Sequence, residues 1–365
     1  MTAISLRSVV KRFGDVTAVD HLDLDLREGE LIAFLGPSGC GKTTTLRMIA
    51  GFEMPTDGQI RLGDEDVTYL PAEKRNCGMV FQNYALFPHL TVYRNVAFGL
   101  EMRRVPRGEV ERRVASVLEK VQLRGLEGRY PRQLSGGQQQ RTALARALVI
   151  NPNVLLLDEP LANLDAKLRE EMRFYIRTLQ QEFGITTIYV THDQGEALVL
   201  ADRVAVMMGG TLQQIGTPED LYRRPRTAKV ADFVGLVNLL PVHVKERCAV
   251  AIRCESAVGS LEGHGPNVPD AATEGWLSVR PENIRLSPSN GDGTTADGSG
   301  DRMNRLRGVV RDRAYLGSLI DYRIEVGAGL VLRVQGGAET PYRVGDAVIA
   351  DFTDTNAWFV PKEEG

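Results

Sequence analysis

The sequence predicts an α/β domain with a mostly parallel sheet, followed by a smaller all-β domain. Three observations predict it. Short apolar runs at residues 31–35, 77–81, 154–157 and 186–191 alternate with segments of helical period, the order that covers a parallel sheet with helices. A glycine-rich loop joins the first of these runs directly to a helical segment. Beyond about Phe233 the helical period fades into short strand-like runs broken by glycine and proline. A chain of 365 residues suits two domains better than one.

Taken in order, residues 4–26 read as short strands around a turn at Gly14-Asp15. Leu31-Ile32-Ala33-Phe34-Leu35 is apolar throughout, as suits a strand buried on both faces. Residues 44–50 read as a helix, and residues 77–81 as a strand ending at Gln82. Residues 107–123 are charged and periodic, with Pro106 near the start and Gly125 past the end, and so read as a helix. A second helix, 139–150, stops before Pro152. Both fall between core strands, which places a helical subdomain at about 84–152. Residues 154–157 form a buried strand, 166–183 an amphipathic helix ended by Gly184, and the β-branched run 186–191 a strand delivering His192. In the tail, residues 276–279 and 322–326 suggest a β-sandwich or a small barrel. Residues 287–301, rich in Gly, Ser and Asp, read as a surface loop.

Composition narrows the class. The chain is 43% hydrophobic and 25% charged with a net charge of -3, ordinary for a globular protein and no footprint for a polyanion partner. No apolar run approaches the roughly 18 residues a membrane helix needs, so a membrane role has to come through a partner. Met1-Thr2-Ala3-Ile4-Ser5-Leu6-Arg7 lacks an apolar core, so no secretory signal is expected. Cys40, Cys77, Cys248 and Cys254 form no CxxC pair and are expected as free thiols.

The loop Gly36-Pro37-Ser38-Gly39-Cys40-Gly41-Lys42-Thr43 matches GxxxxGK[ST] between a strand and a helix, the context a phosphate-binding loop requires. Its glycines let backbone N–H groups converge on the phosphates, and the helix that continues through Thr44 turns its positive end to the same anion. Lys42 supplies a point charge to the β/γ oxygens, and Thr43 a hydroxyl for Mg²⁺. Asp158 ends a buried strand where it can hold Mg²⁺, with Glu159 beside it able to polarise a water; alone, Asp158-Glu159-Pro160 reads first as a polar strand exit, and the phosphate loop tips it to the chemical role. Gln82 and His192 also end strands and could reach Mg²⁺, the attacking water or the γ-phosphate. Phe13 could stack on adenine or be a core aromatic. Leu134-Ser135-Gly136-Gly137-Gln138 opens a helix, where Ser135 and the Gly136–Gly137 backbone offer a second anion cradle.

In this order, Phe13, the phosphate loop, Gln82, LSGGQ, Val154-Leu155-Leu156-Leu157-Asp158-Glu159-Pro160, Asp165 and His192 resemble the ATP-binding cassette (ABC) ATPases over about residues 1–235. The resemblance implies a P-loop NTPase fold, ATP and Mg²⁺ as cofactors, and a homodimer in which the Ser135–Gln138 signature of one subunit closes over ATP held by the other. Asn163-Leu164-Asp165 matches the segment crossing that interface. Ala162 and Gly195 depart from commoner choices, serine and a bulkier polar residue. Asn83-Tyr84-Ala85-Leu86-Phe87-Pro88-His89-Leu90-Thr91-Val92, Ala166-Lys167-Leu168-Arg169, Gly216-Thr217-Pro218 and a TOBE-type tail (236–365) with Val279-Arg280-Pro281-Glu282-Asn283 resemble bacterial importers served by a solute-binding protein. The final part, 308–361, with Tyr315-Leu316-Gly317-Ser318, resembles the polyamine, ferric-iron and phosphonate branch, which ranks these substrates above sugars, and the resemblance makes the tail OB-like.

What this implies is a peripheral ATPase on the cytoplasmic face of the bacterial inner membrane. Two permease subunits would dock near Gln82 and residues 82–90, and a periplasmic or lipid-anchored solute-binding protein would take part indirectly. The rivals are a sugar importer, an exporter, and a soluble ABC ATPase working on nucleic acid or ribosomes. The segment between loop and signature is too short for a coiled coil, and the chain carries one cassette. Residues 236–365 hold 14 Lys and Arg against 18 Asp and Glu, so nucleic acid is not expected as a partner. The tail is left with two roles, dimerisation or sensing of substrate or a regulatory protein.

Overall fold

The computed structural model describes residues 2–248, 251–265, 273–289, 303–338 and 342–362. They form two compact units, Met1–Pro218 and Glu219–Gly365.

The first unit stacks two sheets. An antiparallel sheet runs in the order Val16–Leu26, Ile4–Phe13, Asp57–Leu62, Glu65–Asp66. A six-stranded sheet runs Thr211–Gly216, Arg203–Met208, Leu31–Leu35, Thr186–Thr191, Val154–Asp158, Cys77–Val80, parallel except for its first pair. Its central strands are buried at every position because both faces are covered. Alternation sends their side chains to two cores. Ile32, Phe34, Leu156, Ile188 and Val190 pack with the helix Lys42–Ala50 and the antiparallel sheet. Leu31, Leu155, Leu157 and Tyr189 pack with the helices Val92–Met102, Gly136–Leu148 and Ala166–Phe183. Arg107–Lys120 joins the same core through Val110, Val114, Val117 and Leu118. The helix expected at 107–123 is present, and the helix expected at 139–150 begins three residues earlier, within the signature itself.

One buried arginine sets a corner of this unit. Arg75 is 2% exposed and donates to the carbonyls of Met48 and Ile49 at 2.6 and 3.0 Å, closing the last turn of Lys42–Ala50. It also donates to Thr68 and Leu70. A cation at a helix C-terminus meets both the orphan carbonyls and the negative end of the dipole.

The second unit opens within the short helix Pro218–Arg223, whose first residue ends the first unit, and continues with a second short helix, Ala228–Phe233. Five strands close into a barrel in the order Asn238–Arg247, Ala251–Ser256, Gly259–His264, Ala357–Pro361, Glu274–Val279. Five more form an antiparallel sheet: Arg285–Pro288, Ala347–Thr353, Met303–Tyr315, Leu319–Gly327, Leu330–Gly337. Their inner faces share one core. The tail is therefore all-β and holds a small barrel, the OB-like element, with a sheet beside it. Ser287 lies in a strand rather than a loop, and residues 290–301 of that expected loop lie outside the described residues. Among the described residues, no helix is long and apolar enough to cross a membrane.

Arg280 organises the second unit. It is 3% exposed, and its guanidinium donates to the carbonyls of Tyr222, Ala231, Gly235 and Leu236 at 2.8–3.1 Å. It also lies 4.0 Å over the Tyr222 ring, whose hydroxyl donates to Glu282 at 2.6 Å.

Candidate functional site at the carboxyl edge of the parallel sheet

Four neighbouring strands, Leu31–Leu35, Thr186–Thr191, Val154–Asp158 and Cys77–Val80, run parallel, so their carboxyl ends share one edge. That edge carries the phosphate loop, His192, Asp158-Glu159 and Gln82. It is the usual place for a ligand on an open α/β sheet.

The loop is shaped by glycine. Gly39 and Gly41 hold φ of 79° and 99°, a region that L side chains rarely enter. A Cβ on Gly41 would lie 2.5 Å from the Ala18 carbonyl oxygen, and one on Gly36 would lie 2.2 Å from that of Met207. Pro37, Ser38 and Gly39 are exposed, and Cys40 and Lys42 are buried. Lys42 Nζ donates to the carbonyls of Gly36 and Pro37 at 2.7 and 2.9 Å, with Cys40 Sγ at 3.6 Å. Gly41 caps the helix that carries Thr43 and Thr44.

Thr43 Oγ1 donates to Asp158 Oδ1 at 3.0 Å. These are two hard oxygens side by side, the donor type Mg²⁺ takes. Burial pushes the Asp158 carboxyl above its ordinary range; the Thr43 hydrogen bond and Arg47 pull it back, and Glu159 adds to the rise. A carboxyl so raised binds its proton more tightly when folded, so its stabilising contribution is complete below the unfolded value and is lost as pH rises through the folded one. Asp158→Asn is therefore expected to stabilise the metal-free protein at pH 7 by on the order of 1 kcal/mol, and by less at pH 4. Urea unfolding at the two pH values checks the difference; an equal effect at both would contradict it.

Glu159 follows with φ of 43°, left-handed for a residue with a side chain, while its N–H donates to the Val190 carbonyl at 3.0 Å. Glu159 Oε2 accepts from Gln82 Nε2 at 3.3 Å and lies 3.2 Å from His192 Nδ1. Three residues that sequence places far apart thus meet at one carboxylate. Asn163 Nδ2 donates to the Gln82 carbonyl at 2.9 Å. Arg47, Phe81, Gln82, Asn83, Asp158 and Asn163 line an open cleft of about 460 Å³.

Phe13 is 48% exposed, at the tip of the first hairpin with Lys11 Nζ 4.7 Å over its ring, so it is no core aromatic. It pairs with Val16 across the turn; Ala18, two residues on, is the residue against which Gly41 packs. The signature forms a separate group. Ser135 caps Gly136–Leu148, its hydroxyl accepting from Gln138 N at 3.3 Å while Gln138 Oε1 accepts from Ser135 N at 3.0 Å. A Cβ on Gly137 would lie 3.2 Å from Leu168 Cδ1, and one on Gly136 3.1 Å from Leu164 Cδ2. Asp165 caps Ala166–Phe183, accepting from Leu168 N at 3.0 Å. Among the described residues, no hydrogen bond or ion pair joins Ser135, Gly136, Gly137 or Gln138 to the phosphate loop, Asp158, Glu159, Gln82 or His192.

Sequence reasoning missed the residues that hold these groups. Arg146 donates to the carbonyls of Tyr84 and Ala85 at 2.9 and 2.7 Å, tying the signature helix to the segment after Gln82, where both residues have positive φ. Asn95, fully buried, fixes Phe87, Leu90 and Thr91. A buried asparagine inside an apolar helix stretch was the available signal.

Comparison with known proteins gives the family. The ABC transporter family profile matches residues 19–162, and the TOBE domain profile residues 277–360. The spermidine/putrescine import ATP-binding protein PotA of Acidothermus cellulolyticus is 51% identical over 332 residues, covering 87% of this chain and 82% of that protein. The Fe(3+) ions import ATP-binding protein FbpC 1 of Rhizobium meliloti is 46% identical over 339 residues, covering 92% of each. The dimeric ATP-binding cassette MJ0796 bound to ADP and Pi is similar at 32% identity and a TM-score of 0.53, over 59% of this chain and 98% of that one. By its motifs, its fold and these relatives, the chain belongs to the ABC transporter family, as one of its ATP-hydrolysing import subunits.

Proposed function

We propose that two copies of this chain, through residues 1–235, power import of a small solute through two permease subunits, with polyamine favoured and ferric iron or phosphonate next. The meeting of Gln82, Glu159 and His192 beside the Thr43–Asp158 pair carries the reading. Lys42 and the loop amides hold the β- and γ-phosphates, and Phe13 stacks on adenine. Glu159 takes a proton from the attacking water, while His192 and Gln82 fix its carboxylate and face the γ-phosphate. Thr43 and Asp158, with Gln82, would hold Mg²⁺, which supplies charge neutralisation on the phosphate oxygens. Ser135, Gly136, Gly137 and Gln138 serve the partner's ATP, because within one chain they bond to none of the described loop residues. Asp165 borders that interface. The dimeric, ADP-bound cassette that this chain resembles supports a two-fold arrangement.

Docking of a permease is supported by an apolar groove of about 590 Å³, lined by residues that include Phe52, Cys77, Met79, Phe98, Met102 and Ile150. Phe52 and Met102 are more than half exposed there. The groove takes an amphipathic helix of a membrane partner. Residues 82–90 lie close to it in sequence and are bonded to the signature helix through Arg146. The tail, 236–365, regulates or dimerises. The cytoplasmic face of the inner membrane is the matching location.

Purification of the tagged chain from its native membrane in mild detergent tests this. Two multi-span permease subunits, with or without a solute-binding protein, are expected to co-purify. Ribosomes or nucleic acid without a permease would overturn the reading, and a sugar-binding partner would move the substrate to the sugar class.

A further inference from the structure

Ala166-Lys167-Leu168-Arg169 and Gly195 stand out in sequence, yet neither has a task in the site above. The structure puts them together. Arg169, in the first turn of Ala166–Phe183, donates from Nη2 to the Leu164 carbonyl at 3.1 Å. Its Nη1 lies 3.6 Å from Asp193 Oδ2. Its Nε, buried and without a hydrogen-bond partner among the described residues, lies 4.0 Å from Glu196 Oε1. One turn later Arg173 Nη2 donates to the same Asp193 oxygen at 3.1 Å.

Both carboxylates follow His192 in the chain. Asp193 follows it directly and caps the helix Gln194–Leu200, accepting from Glu196 N at 3.0 Å. Glu196, 4% exposed, accepts from the hydroxyls of Tyr189 and Thr191 at 2.9 and 2.7 Å, both on the strand Thr186–Thr191, which leads directly to His192. One guanidinium therefore spans from the segment after Glu159 to the two carboxylates that follow His192 in the chain. Gly195 leaves the room: a Cβ there would lie 3.1 Å from Asp193 Oδ1 and 3.2 Å from Arg173 Nη1.

We infer that Arg169 is a positioning residue that makes the placement of His192 depend on residues 163–165. A displacement of Leu164 is passed by the rigid guanidinium to Asp193 and so to His192, whose Nδ1 is 3.2 Å from Glu159. Docking of the second subunit on residues 163–165 then sets the turnover geometry of this one, which couples the two ATP sites. The inference rests on the proposed roles of His192, Glu159 and residues 163–165.

The test is steady-state ATP turnover of the full chain for Arg169→Gln, Arg169→Lys and Gly195→Ala, with His192→Ala in parallel. Arg169→Gln is expected to lower kcat about tenfold, leave KM within about twofold and bring the Hill coefficient toward 1. Arg169→Lys is expected not to restore it, since a point charge cannot hold Leu164 and Asp193 together. Gly195→Ala, acting from the other side, is expected to lower kcat with KM unchanged. Unchanged kcat and cooperativity in Arg169→Gln, or full recovery in Arg169→Lys, overturns the inference. So does a raised KM with a lower melting temperature, which marks a purely structural role. If His192→Ala itself turns over normally, the site assignment beneath the inference falls as well; if it does not and Arg169→Gln does, only the coupling falls.

Discussion

Glu159→Gln is expected to lower ATP turnover by about 10²–10³-fold while ATP binding is retained. The amide has the shape of the carboxylate and keeps its contacts, since an amide oxygen still accepts from Gln82 Nε2, 3.3 Å away in the native protein. It cannot accept a proton from water at neutral pH. The left-handed backbone at this position, φ of 43°, is the same for both residues, so the comparison isolates basicity. With hydrolysis stalled, closed dimers accumulate, because ATP occupancy favours the closed state and nothing removes it. Phosphate release measures the first effect, and sizing chromatography with Mg²⁺ and ATP the second. Normal turnover would remove Glu159 as the base.

Arg280→Ala is expected to have the largest effect on stability, about 3–5 kcal/mol, since each buried carbonyl left without a donor costs about 1–3 kcal/mol and part of that is recovered by relaxation or water. The alanine leaves the carbonyls of Tyr222, Ala231, Gly235 and Leu236 without their donor. It also uncovers the Tyr222 ring on which the guanidinium lies. For a unit of this size the loss corresponds to a melting temperature lower by about 10 °C or more. Because the chain has two compact units, the melt is expected to split, with Glu219–Gly365 unfolding first. A single transition at the native temperature would contradict the assignment. Arg280→Lys, which cannot reach all the carbonyls at once, is expected to fall between.

The same arginine shows how far the sequence could be read. Val279-Arg280-Pro281-Glu282-Asn283 was legible as a resemblance, but nothing in its spacing says that Arg280 is buried under Tyr222, some sixty residues earlier. That contact depends on the barrel strand carrying it past the helix Pro218–Arg223. The strands 31–35 and 186–191 and the helix 166–183 were legible to the residue, because burial on both faces and clean punctuation by glycine leave little choice. The early start of the signature helix was not, since two glycines argue against a helix until Ser135 and Gln138 are seen to cap it reciprocally. Gln82, Glu159 and His192 could each be named from sequence. Their meeting at one carboxylate follows only from strand order in the sheet. The barrel, as against a sandwich, was undecidable because closure rests on long-range pairing, down to His264 with Trp358.

Lys42 has a consequence for the speed of nucleotide capture. Its ammonium is held by the Gly36 and Pro37 carbonyls, so the loop carries an internal template for its own curve. A loop shaped in advance has little ordering entropy left to lose when a triphosphate arrives. Capture is then expected to be limited by diffusion and by the exchange of two carbonyl contacts for phosphate oxygens. On the proposed two-subunit cycle the slow step is then expected at the meeting of two subunits, where a membrane partner rather than the supply of fuel can govern it.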